Sequence, residues 1–453
     1  MGFSKDFMWG VGSAAYQIEG GAFEDGKGLS IWDTFTHEGG HVKDDDNGDV
    51  ACDHYHRYEE DASLIAGLGK SMTYRFSISW ARVIPDGTGE VNQKGIDFYK
   101  RLIDALLARG ITPCIVLFHW DLPQALEDRG GWLNPESPSW FKRYTEVCAK
   151  AFGDKCKLFF TFNEPQCFIG EGYYHGSNAP GKKLPMSDMM PMVHNVLVAH
   201  GLSVMTLREL VPDVKVGYAP TTGGTAPITD SPADIEAARQ ALFRIDDEWW
   251  MWNVPLFSDP VMLGHYPEED PFFKKNCEFL PENYMEDMRT ICQPLDYYGQ
   301  NIYYAHLWKM GEDGTPEYVK KPTGYAKSLI NWPVTPQALY WAPKFLYERY
   351  NTPIIITENG MACHDGISVD GQVHDPNRVD YIHRYVKELR RAVDDGVDIA
   401  GYFHWSFTDN FEWCSGYTDR FGLVYVDYET QKRIPKDSYY FYKKVIESNG
   451  ENL

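Results

Sequence analysis

The sequence predicts an α/β protein: a single (β/α)8 TIM barrel with long strand-to-helix loops that form a deep pocket at the C-terminal face. Eight short apolar runs recur along the 453 residues, and most are continuous rather than alternating. Continuous runs of this length are typical of parallel strands that are buried on both faces. Polar and charged residues follow nearly every run, which is where a barrel of this kind carries its functional groups.

The eight apolar runs are predicted as the barrel strands. They are Phe7–Ser13, Met72–Ile78, Thr112–Phe118, Lys157–Phe162, Val214–Ala219, Leu295–Tyr303, Pro353–Thr357 and Ile399–Trp405. Helices are predicted between them; from Asn92 to Arg109, for example, apolar residues recur at helical spacing until Gly110 ends the segment. Because no linker interrupts the cycles, residues 1–453 are expected to form one catalytic barrel domain.

An open, doubly wound sheet is the alternative to a closed barrel. Such a sheet would concentrate its polar residues at one switch point, whereas here they follow most of the strands. The cycles also differ in length, and the surplus falls around residues 30–53, 165–190 and 220–290. Long loops at these places favour a deep pocket on a barrel.

Composition excludes several classes of partner. With 43 Lys and Arg against 65 Asp and Glu, the net charge of −22 excludes a nucleic-acid binder that works by phosphate neutralisation. No apolar run approaches the roughly 18 residues needed to cross a bilayer, so no membrane partner is expected. Nine cysteines without a C-x-x-C pair, and no N-x-[ST] site, favour free thiols and a cytoplasmic location. Oligomeric state is left open.

One short motif resembles a dinucleotide-binding site and another a calcium-binding loop, but neither meets the requirements of its class. The run Gly10–Ala15 fits G-x-G-x-x-[GA], but only a short strand precedes it and a glycine-rich loop follows. The acidic run Asp44–Asp49 places Lys43 and His54 at the first and last calcium-ligand positions of an EF-hand. The sequence therefore predicts neither a cofactor nor a metal.

Two predicted strand ends carry a glutamate next to an asparagine. The fourth run leads into Thr161-Phe162-Asn163-Glu164-Pro165 and the seventh into Ile356-Thr357-Glu358-Asn359-Gly360. A single glutamate at such a position could simply form a structural ion pair at the mouth of the barrel. A pair at strands four and seven suits glycoside hydrolysis, in which one carboxylic acid protonates the leaving oxygen and one carboxylate faces the anomeric carbon.

With these motifs the sequence resembles glycoside hydrolase family 1, the β-glucosidase family, nearly end to end. Further matching segments are Ala15–Gly20, Tyr74–Trp80, Phe118–Pro123, Asn301–Tyr304, Trp405–Trp413 and Arg420–Gly422. The resemblance implies a retaining enzyme with Glu358 as nucleophile and Glu164 as acid/base. Its implied substrates are small-molecule β-glucosides, including cellobiose and short oligosaccharides, with β-fucosides and β-galactosides also accepted.

The resemblance also implies the surrounding site. Arg75, Asn163 and Tyr303 would support catalysis, with Arg75 and Tyr303 favouring the ionised form of Glu358. Glu164, next to a like charge in a partly dry pocket, would hold its proton. The implied substrate-binding residues are Gln17, His119, Trp120, Asn163, Asn301, Tyr303, Trp332, Trp405, Glu412, Trp413 and Phe421. Gln166, Cys167 and Asn178 fall on the aglycone side, where Gln166 and Asn178 replace the Trp and His of many members.

Other functions stay open at this point. A β-galactosidase or transglycosylase of the same family would share these residues, and a sugar-binding protein without chemistry would keep the aromatic residues and carboxylates. The thioglucosidase branch carries Gln at the acid position, and Glu164 argues against it. The phospho-glycosidase branch carries a Lys after the equivalent of Trp413, and residues 414–421 contain none. A sugar 6-phosphate would face Glu412 with no cation to neutralise it.

Overall fold

A computed structural model describes residues 2–453 and shows a closed barrel of eight parallel strands. The barrel strands, β1 to β8 in chain order, are Met8–Gly12, Thr73–Ser77, Thr112–Phe118, Leu158–Asn163, Lys215–Ala219, Tyr297–Asn301, Ile354–Asn359 and Ile399–Trp405. Each pairs in parallel with the next along the chain, and β8 pairs with β1, where Trp405 lies opposite Gly12. The predicted (β/α)8 barrel and its eight strands are confirmed.

Helices surround the barrel and connect its strands. The longer helices are His54–Leu68, Gln93–Leu107, Ser137–Phe152, Met186–Leu210, Pro232–Leu242, Pro255–Met262, Tyr284–Ile291, Ala338–Tyr350, Pro376–Asp394 and Asp437–Glu447. Shorter helices lie in the loops at Ala15–Ile18, Ile31–His37, Trp80–Val83, Gln124–Glu127, Pro165–Ile169 and Pro271–Asn276. The predicted helix from Asn92 to Arg109 is therefore present, although it begins and ends one to two residues inside the predicted bounds.

The centre of the barrel is filled with apolar side chains beneath the strand ends. Val116, Phe160, Ile355 and Phe403 belong to one buried cluster contributed by four different strands. Phe160 fits because Gly217 on β5 carries no side chain: a Cβ there would come within 2.3 Å of its ring. The interior is thus a packed floor rather than a channel, and polar groups are confined to the C-terminal face.

Two small sheets lie outside the barrel. The strands Gly224–Pro227, Ala305–Met310 and Pro316–Val319 form a three-stranded sheet built from the long loops after β5 and β6. The strands Val424–Asp427 and Lys432–Pro435 form a hairpin after β8. Both sheets come from loop segments, and the first extends the wall of the C-terminal face.

The helix Met186–Leu210 departs from an expectation of the sequence analysis. Among residues 2–453 it is the one helix that is long and apolar enough, by length and composition, to cross a membrane. Most of it is buried in the protein, where it packs against Ser137–Phe152 and Tyr284–Ile291. Its buried residues include His194 and His200. Because most of the helix is buried, its apolar residues form part of the protein core.

The cysteines have the free thiols that the sequence analysis predicted. Across residues 2–453 all nine cysteines are free, and six of them are buried. Within the same range no group of three or more His, Cys, Asp or Glu side chains is arranged to hold a metal ion.

Gly360 directly follows β7 and lies against the backbone of β8. A Cβ built on Gly360 would lie 1.7 Å from the carbonyl oxygen of Trp405 on the neighbouring strand. No side chain can be accommodated there unless one of the two backbones moves. The glycine of the Glu358-Asn359-Gly360 motif is therefore required by packing between β7 and β8.

We expect Gly360→Ala to lower the free energy of unfolding by at least about 2 kcal/mol, because the clash is with backbone rather than with a flexible side chain. Urea denaturation of the variant and the wild type measures the difference. Gly366→Ala, in the loop that follows, is the matched control, since nothing lies within 4 Å of a Cβ there. Equal stability of the two variants would contradict this account of the motif.

Candidate active site

Glu164 and Glu358 meet at the C-terminal face of the barrel. Glu358 is the fifth residue of β7, so the strand itself fixes its backbone. Glu164 follows the last residue of β4 and adopts a left-handed backbone conformation with φ of 45°, immediately before the short helix Pro165–Ile169. This conformation is uncommon for a residue with a side chain, and strained backbone of this kind clusters at functional sites.

Glu358 is held by two donors. Arg75 Nη1 on β2 donates to Glu358 Oε1 at 2.7 Å, and the Tyr303 hydroxyl donates to Oε2 at 2.7 Å. Arg75 is fully buried, and its Nη2 donates to Asn163 Oδ1 at 2.6 Å. Both carboxylate oxygens of Glu358 are therefore oriented by partners from other strands and loops.

Asn301 links the two glutamates. Its Nδ2 donates to Glu164 Oε1 at 2.9 Å and to Asn163 Oδ1 at 2.9 Å, and that Asn163 oxygen also accepts from Arg75, which holds Glu358. Thr357 Oγ1 donates to Asn301 Oδ1 at 2.6 Å, which fixes the orientation of the amide. The two carboxyl groups are therefore joined by a chain of hydrogen bonds through Asn301, Asn163 and Arg75.

The environment places a proton on Glu164. Burial raises its pKa, and repulsion from Glu358 adds to this effect and brings the pKa to about 8. Burial also raises the pKa of Glu358, where Arg75 and Tyr303 were predicted to favour the ionised form. Those two groups oppose the effect of burial at Glu358, whereas Glu164 is hydrogen-bonded to the neutral amide of Asn301. The proton of the pair therefore resides on Glu164, and Glu358 is the carboxylate.

His119 lies beside the pair as a neutral imidazole. Burial, with a further contribution from Arg75, lowers its pKa well below the usual range. Asn163 Nδ2 donates to His119 Nε2 at 3.1 Å, so the ring proton is on Nδ1. That Nδ1 is buried and has no hydrogen-bond partner within residues 2–453, and the same holds for Gln17 Oε1. The Nδ1–H of His119, which lines the cavity, is therefore free to donate to a bound molecule.

The loop after β8 brings Glu412 and Trp413 to the site. Asp409, in the same loop, is fully buried and accepts hydrogen bonds from Lys436 Nζ at 2.6 Å and Arg420 Nη1 at 2.6 Å. Gln17 Nε2 donates to Glu412 Oε2 at 3.4 Å. Burial, followed by repulsion from Asp419 and Glu358, raises the pKa of Glu412 well above its usual range.

A cavity of about 890 Å³ opens over these groups. Of the residues predicted for the site, those that line it are His119, Trp120, Glu164, Cys167, Asn178, Tyr303, Trp332, Glu358, Trp405, Glu412 and Trp413. Trp120 stacks on Trp413 with ring centroids 4.5 Å apart, and the His119 ring stacks on Trp405 at 5.6 Å. Trp405 precedes a cis peptide bond to Ser406.

The other predicted residues are outside the lining. Gln17, Arg75, Asn163 and Asn301 form a fully buried layer that hydrogen-bonds to the lining residues.

Two further predicted residues also lie behind the lining. Gln166, expected on the aglycone side, is fully buried and donates instead to the backbone carbonyls of Thr221 and Asn253, at 3.0 and 3.3 Å. Phe421, expected to bind substrate, is buried behind the lining and contacts the rings of Tyr303 and Trp332.

The structure also adds residues that the sequence analysis did not identify. The outer part of the cavity is lined by Arg244, Asp246, Trp249, Trp252, His306, Trp308 and Tyr318. The surplus length around residues 220–290 indicated a long loop there, and the run Trp249-Trp250-Met251-Trp252 was its most conspicuous part. Trp308 and Tyr318 lie in a different loop, and only the fold brings them beside it.

A barrel that carries a protonated and an ionised carboxyl group side by side in a sugar-sized cavity has the architecture of a glycoside hydrolase. Comparison with known proteins narrows this class: residues 1–451 match the model of glycosyl hydrolase family 1, and the chain belongs to that family.

Individual relatives resemble the chain over nearly its full length. β-Glucosidase A from Thermotoga maritima is 46% identical over 449 residues, which cover 99% of this chain and 98% of the relative. The 1,4-β-D-glucan glucohydrolase from Thermotoga neapolitana is 45% identical over 449 residues, with 99% of each chain covered. The solved structure of the T. maritima β-glucosidase with glucoimidazole superimposes with a TM-score of 0.90 at 45% identity, covering 99% of both chains.

The proton on Glu164 predicts the alkaline side of the pH profile. If Glu164 must be protonated to act, kcat/KM for cellobiose should fall about tenfold per pH unit above a pKa of about 8. The Glu164→Gln variant, assayed on cellobiose at high enzyme concentration, should lose this alkaline limb because its side chain does not titrate. An alkaline limb that persists in the variant would assign the titration to another group.

Proposed function

We propose that the chain is a retaining β-glucosidase that removes terminal non-reducing β-D-glucosyl residues from small β-glucosides. The observation that carries the proposal is the asymmetry of the carboxyl pair. Glu358 is fixed by Arg75 and Tyr303, whereas Glu164 is protonated at neutral pH and hydrogen-bonded to the neutral Asn301. One group is prepared to attack and the other to donate a proton.

In the first step Glu358 attacks the anomeric carbon while Glu164 transfers its proton to the leaving glycosidic oxygen. The bond from the anomeric carbon to that oxygen breaks, and an ester forms between the sugar and Glu358. Both glutamates line one cavity and are joined through Asn301, Asn163 and Arg75, which supports the short separation, about 5–5.5 Å between carboxyl groups, that such a displacement needs. Inverting enzymes keep their carboxyl groups further apart to admit a water.

In the second step the ester removes the negative charge of Glu358. Repulsion from Glu358 is the second largest cause of the raised pKa of Glu164, so that pKa falls once the ester forms. Glu164, now a carboxylate, takes a proton from water as the water attacks the anomeric carbon. Glucose leaves with its β configuration, and both glutamates return to their starting states.

Recognition of the sugar is assigned to the groups that lack protein partners. His119 lines the cavity, and its Nδ1–H is available to donate to a sugar hydroxyl, whereas Gln17 lies behind the lining and positions Glu412 through its Nε2. Glu412 is buried with a raised pKa, so hydroxyl donors that contact it would stabilise its ionised form. Trp405 and Trp413 provide apolar faces for the C–H surfaces of the ring.

The relatives support this assignment of substrate. The T. maritima relative is named a β-glucosidase, and its superimposable structure holds glucoimidazole. The T. neapolitana relative is named a 1,4-β-D-glucan glucohydrolase, which supports cellobiose and short oligosaccharides among the substrates.

We also propose that the enzyme works in the reducing environment of the cytoplasm. The nine cysteines of residues 2–453 are all free thiols, and the three that are not buried, Cys277, Cys292 and Cys414, would be exposed to oxidation elsewhere. Thiol titration of the protein purified without reductant tests whether they remain reduced.

The nucleophile is tested with Glu358→Gly. Removing the carboxylate should reduce hydrolysis of nitrophenyl β-glucoside by about 10⁴-fold or more, because the covalent step is lost. Azide, which fits the vacated space, should restore turnover and give the α-glucosyl azide. NMR spectroscopy identifies the anomer, and recovery of the β-azide would show that another residue is the nucleophile.

The acid is tested with Glu164→Gln, which keeps the size of the side chain. Cleavage of cellobiose should fall by about 10²–10⁴-fold, because its leaving alcohol needs a proton. Formation of the glycosyl-enzyme from 2,4-dinitrophenyl β-glucoside should be nearly unchanged, because dinitrophenolate leaves without help. Steady-state and burst-phase kinetics on both substrates measure this. Equal losses on the two would remove Glu164 from the role of acid.

A further inference from the structure

Six charged side chains form a network behind the loop that carries Glu412. The acidic members are Asp365, Asp375 and Asp409, and the basic members are Arg378, Arg420 and Lys436. The side chain of Arg420 is 15% exposed, and those of the other five are at most 1% exposed. This set, called the ion network below, balances three negative charges with three positive ones. The reaction at the two glutamates makes no direct use of it.

Lys436 and Asp365 lie at the centre of the ion network. Lys436 directly follows the second strand of the hairpin after β8. Its Nζ donates to Asp365 Oδ2 at 2.5 Å and to Asp409 Oδ1 at 2.6 Å. Asp365 Oδ2 also accepts from Arg378 Nη2 at 2.7 Å. A fully buried ammonium group thus joins a carboxylate from the loop after β7 to a carboxylate from the loop after β8.

One side of the ion network holds the segment that carries Glu412 and Trp413. Asp409 lies three residues before Glu412. Its Oδ1 accepts from the backbone N–H of Gly422 at 3.0 Å, and its Oδ2 accepts from Arg420 Nη1 at 2.6 Å. Because one carboxylate contacts both ends of the segment, it fixes where the loop between them lies.

The other side of the ion network holds the chain that leaves the nucleophile. Arg378 Nε donates to the backbone carbonyl of Met361 at 3.1 Å, three residues after Glu358. Arg378 Nη2 donates to the backbone carbonyl of Arg420 at 2.7 Å, and its Nη1 donates to Asp375. One guanidinium group therefore contacts both the chain after β7 and the loop after β8.

The charges of the ion network fix geometry rather than add stability. Buried ion pairs are often no more stable than apolar side chains of the same volume, but an unpaired member is costly. Burial acts to raise the pKa of Asp365, yet the charges of Lys436 and Arg378 outweigh it and hold that pKa below its usual value. Asp365 is thus ionised, and the two loops can keep every charge paired only while they stay in register.

Glu412 depends on such external positioning. Within residues 2–453 the hydrogen bond that its carboxyl group accepts is from Gln17 Nε2, at 3.4 Å. Glu358, by contrast, accepts from Arg75 and from Tyr303 at 2.7 Å each. With one long hydrogen bond to its side chain, Glu412 is placed mainly by the backbone segment that the ion network holds.

We propose that Lys436 is a positioning residue for recognition of the transferred sugar. Through Asp409 and Asp365 it holds the Glu412 segment at a fixed distance from the chain that leaves β7, and so aligns the bound sugar with Glu358. The inference rests on the proposed function and deepens it, because selectivity for the sugar then depends on a charge that does not touch it.

The test is a set of thermodynamic cycles between enzyme variants and substrate hydroxyls. The substrates are nitrophenyl β-glucoside and its 2-, 3-, 4- and 6-deoxy analogues. Glu412→Gln is the reference variant: removing a hydroxyl that Glu412 binds should cost little further in that variant, which identifies the hydroxyl. Lys436→Met removes the ammonium group and keeps the length of the side chain.

We expect Lys436→Met to lower kcat/KM for nitrophenyl β-glucoside about 10–100-fold, the effect of a displaced binding group. The loss should shrink to about threefold for the deoxy analogues that identify the Glu412 contact, because the misplaced interaction is then absent from both enzymes. The loss should stay undiminished for the other analogues.

A second variant separates positioning from stability. Lys436→Met leaves three carboxylates against two guanidinium groups, so it also lowers the free energy of unfolding. Lys436→Met/Asp365→Asn restores the balance, since each remaining carboxylate keeps its arginine. This double variant should regain stability in urea denaturation but retain the selective loss, because the link between the two loops is still missing. It supplies the same measurement where the single variant does not fold.

The matched control is Arg349→Met, which removes a partner of another fully buried aspartate. Arg349 donates to the two oxygens of Asp259 at 3.0 and 2.6 Å. It lies at the end of the helix Ala338–Tyr350, which leads into β7 from the face opposite the site. This variant should lose stability without coupling to any substrate hydroxyl.

Equal losses on all five substrates, in Lys436→Met or in the double variant, would overturn the inference and assign Lys436 a general structural role. Recovery of kcat/KM together with stability in the double variant would also overturn it. Failure of the wild type to hydrolyse nitrophenyl β-glucoside would instead overturn the proposed function itself.

Discussion

Arg75 donates to Glu358 and Asn163 from a position with no access to solvent, and the site is arranged around this buried cation. A guanidinium that has lost its water must be paired, and removing one partner of a buried pair costs about 3–5 kcal/mol. Arg75 on β2 thereby fixes groups on β4 and β7 in one geometry. It also separates the two glutamates chemically, because the carboxyl group next to the cation gives up its proton first and leaves the proton on Glu164.

The barrel and the catalytic pair could be predicted from the sequence because both depend on local patterns. A strand such as β4 is buried along its whole length and is therefore a continuous apolar run, and the glutamate that ends it stands out against that background. The outer part of the cavity could not be predicted. Trp308 and Tyr318 face each other only through strand register, and Trp249 reaches the same cavity from a loop about sixty residues earlier. The contacts of Gln166 could not be predicted either, because its hydrogen bonds to Thr221 and Asn253 depend on how distant loops fold.

The inner and outer parts of the cavity are built from different parts of the molecule. The groups around the scissile bond lie at the ends of barrel strands or in the layer that Asp409 and Lys436 anchor, where packing leaves little freedom. The outer wall is built from the small sheet and the loop after β5, which pack on the barrel without forming part of it. Such a division allows the loops to diverge, and with them the preferred leaving group, while the glutamates and Arg75 keep their geometry.

The pairing of β8 with β1 has a consequence for how the enzyme is made. Gln17 follows the first strand and Glu412 follows the last, so the sugar site joins residues 395 positions apart. Because the ribosome adds about 5–20 residues per second, β8 is made on the order of 20–80 s after β1. During that time the growing chain has an open sheet edge and an unfilled barrel interior. Chaperones bind such features, and the same features promote aggregation. The hydrogen bond between Gln17 and Glu412 can therefore form only after the final strand has been made.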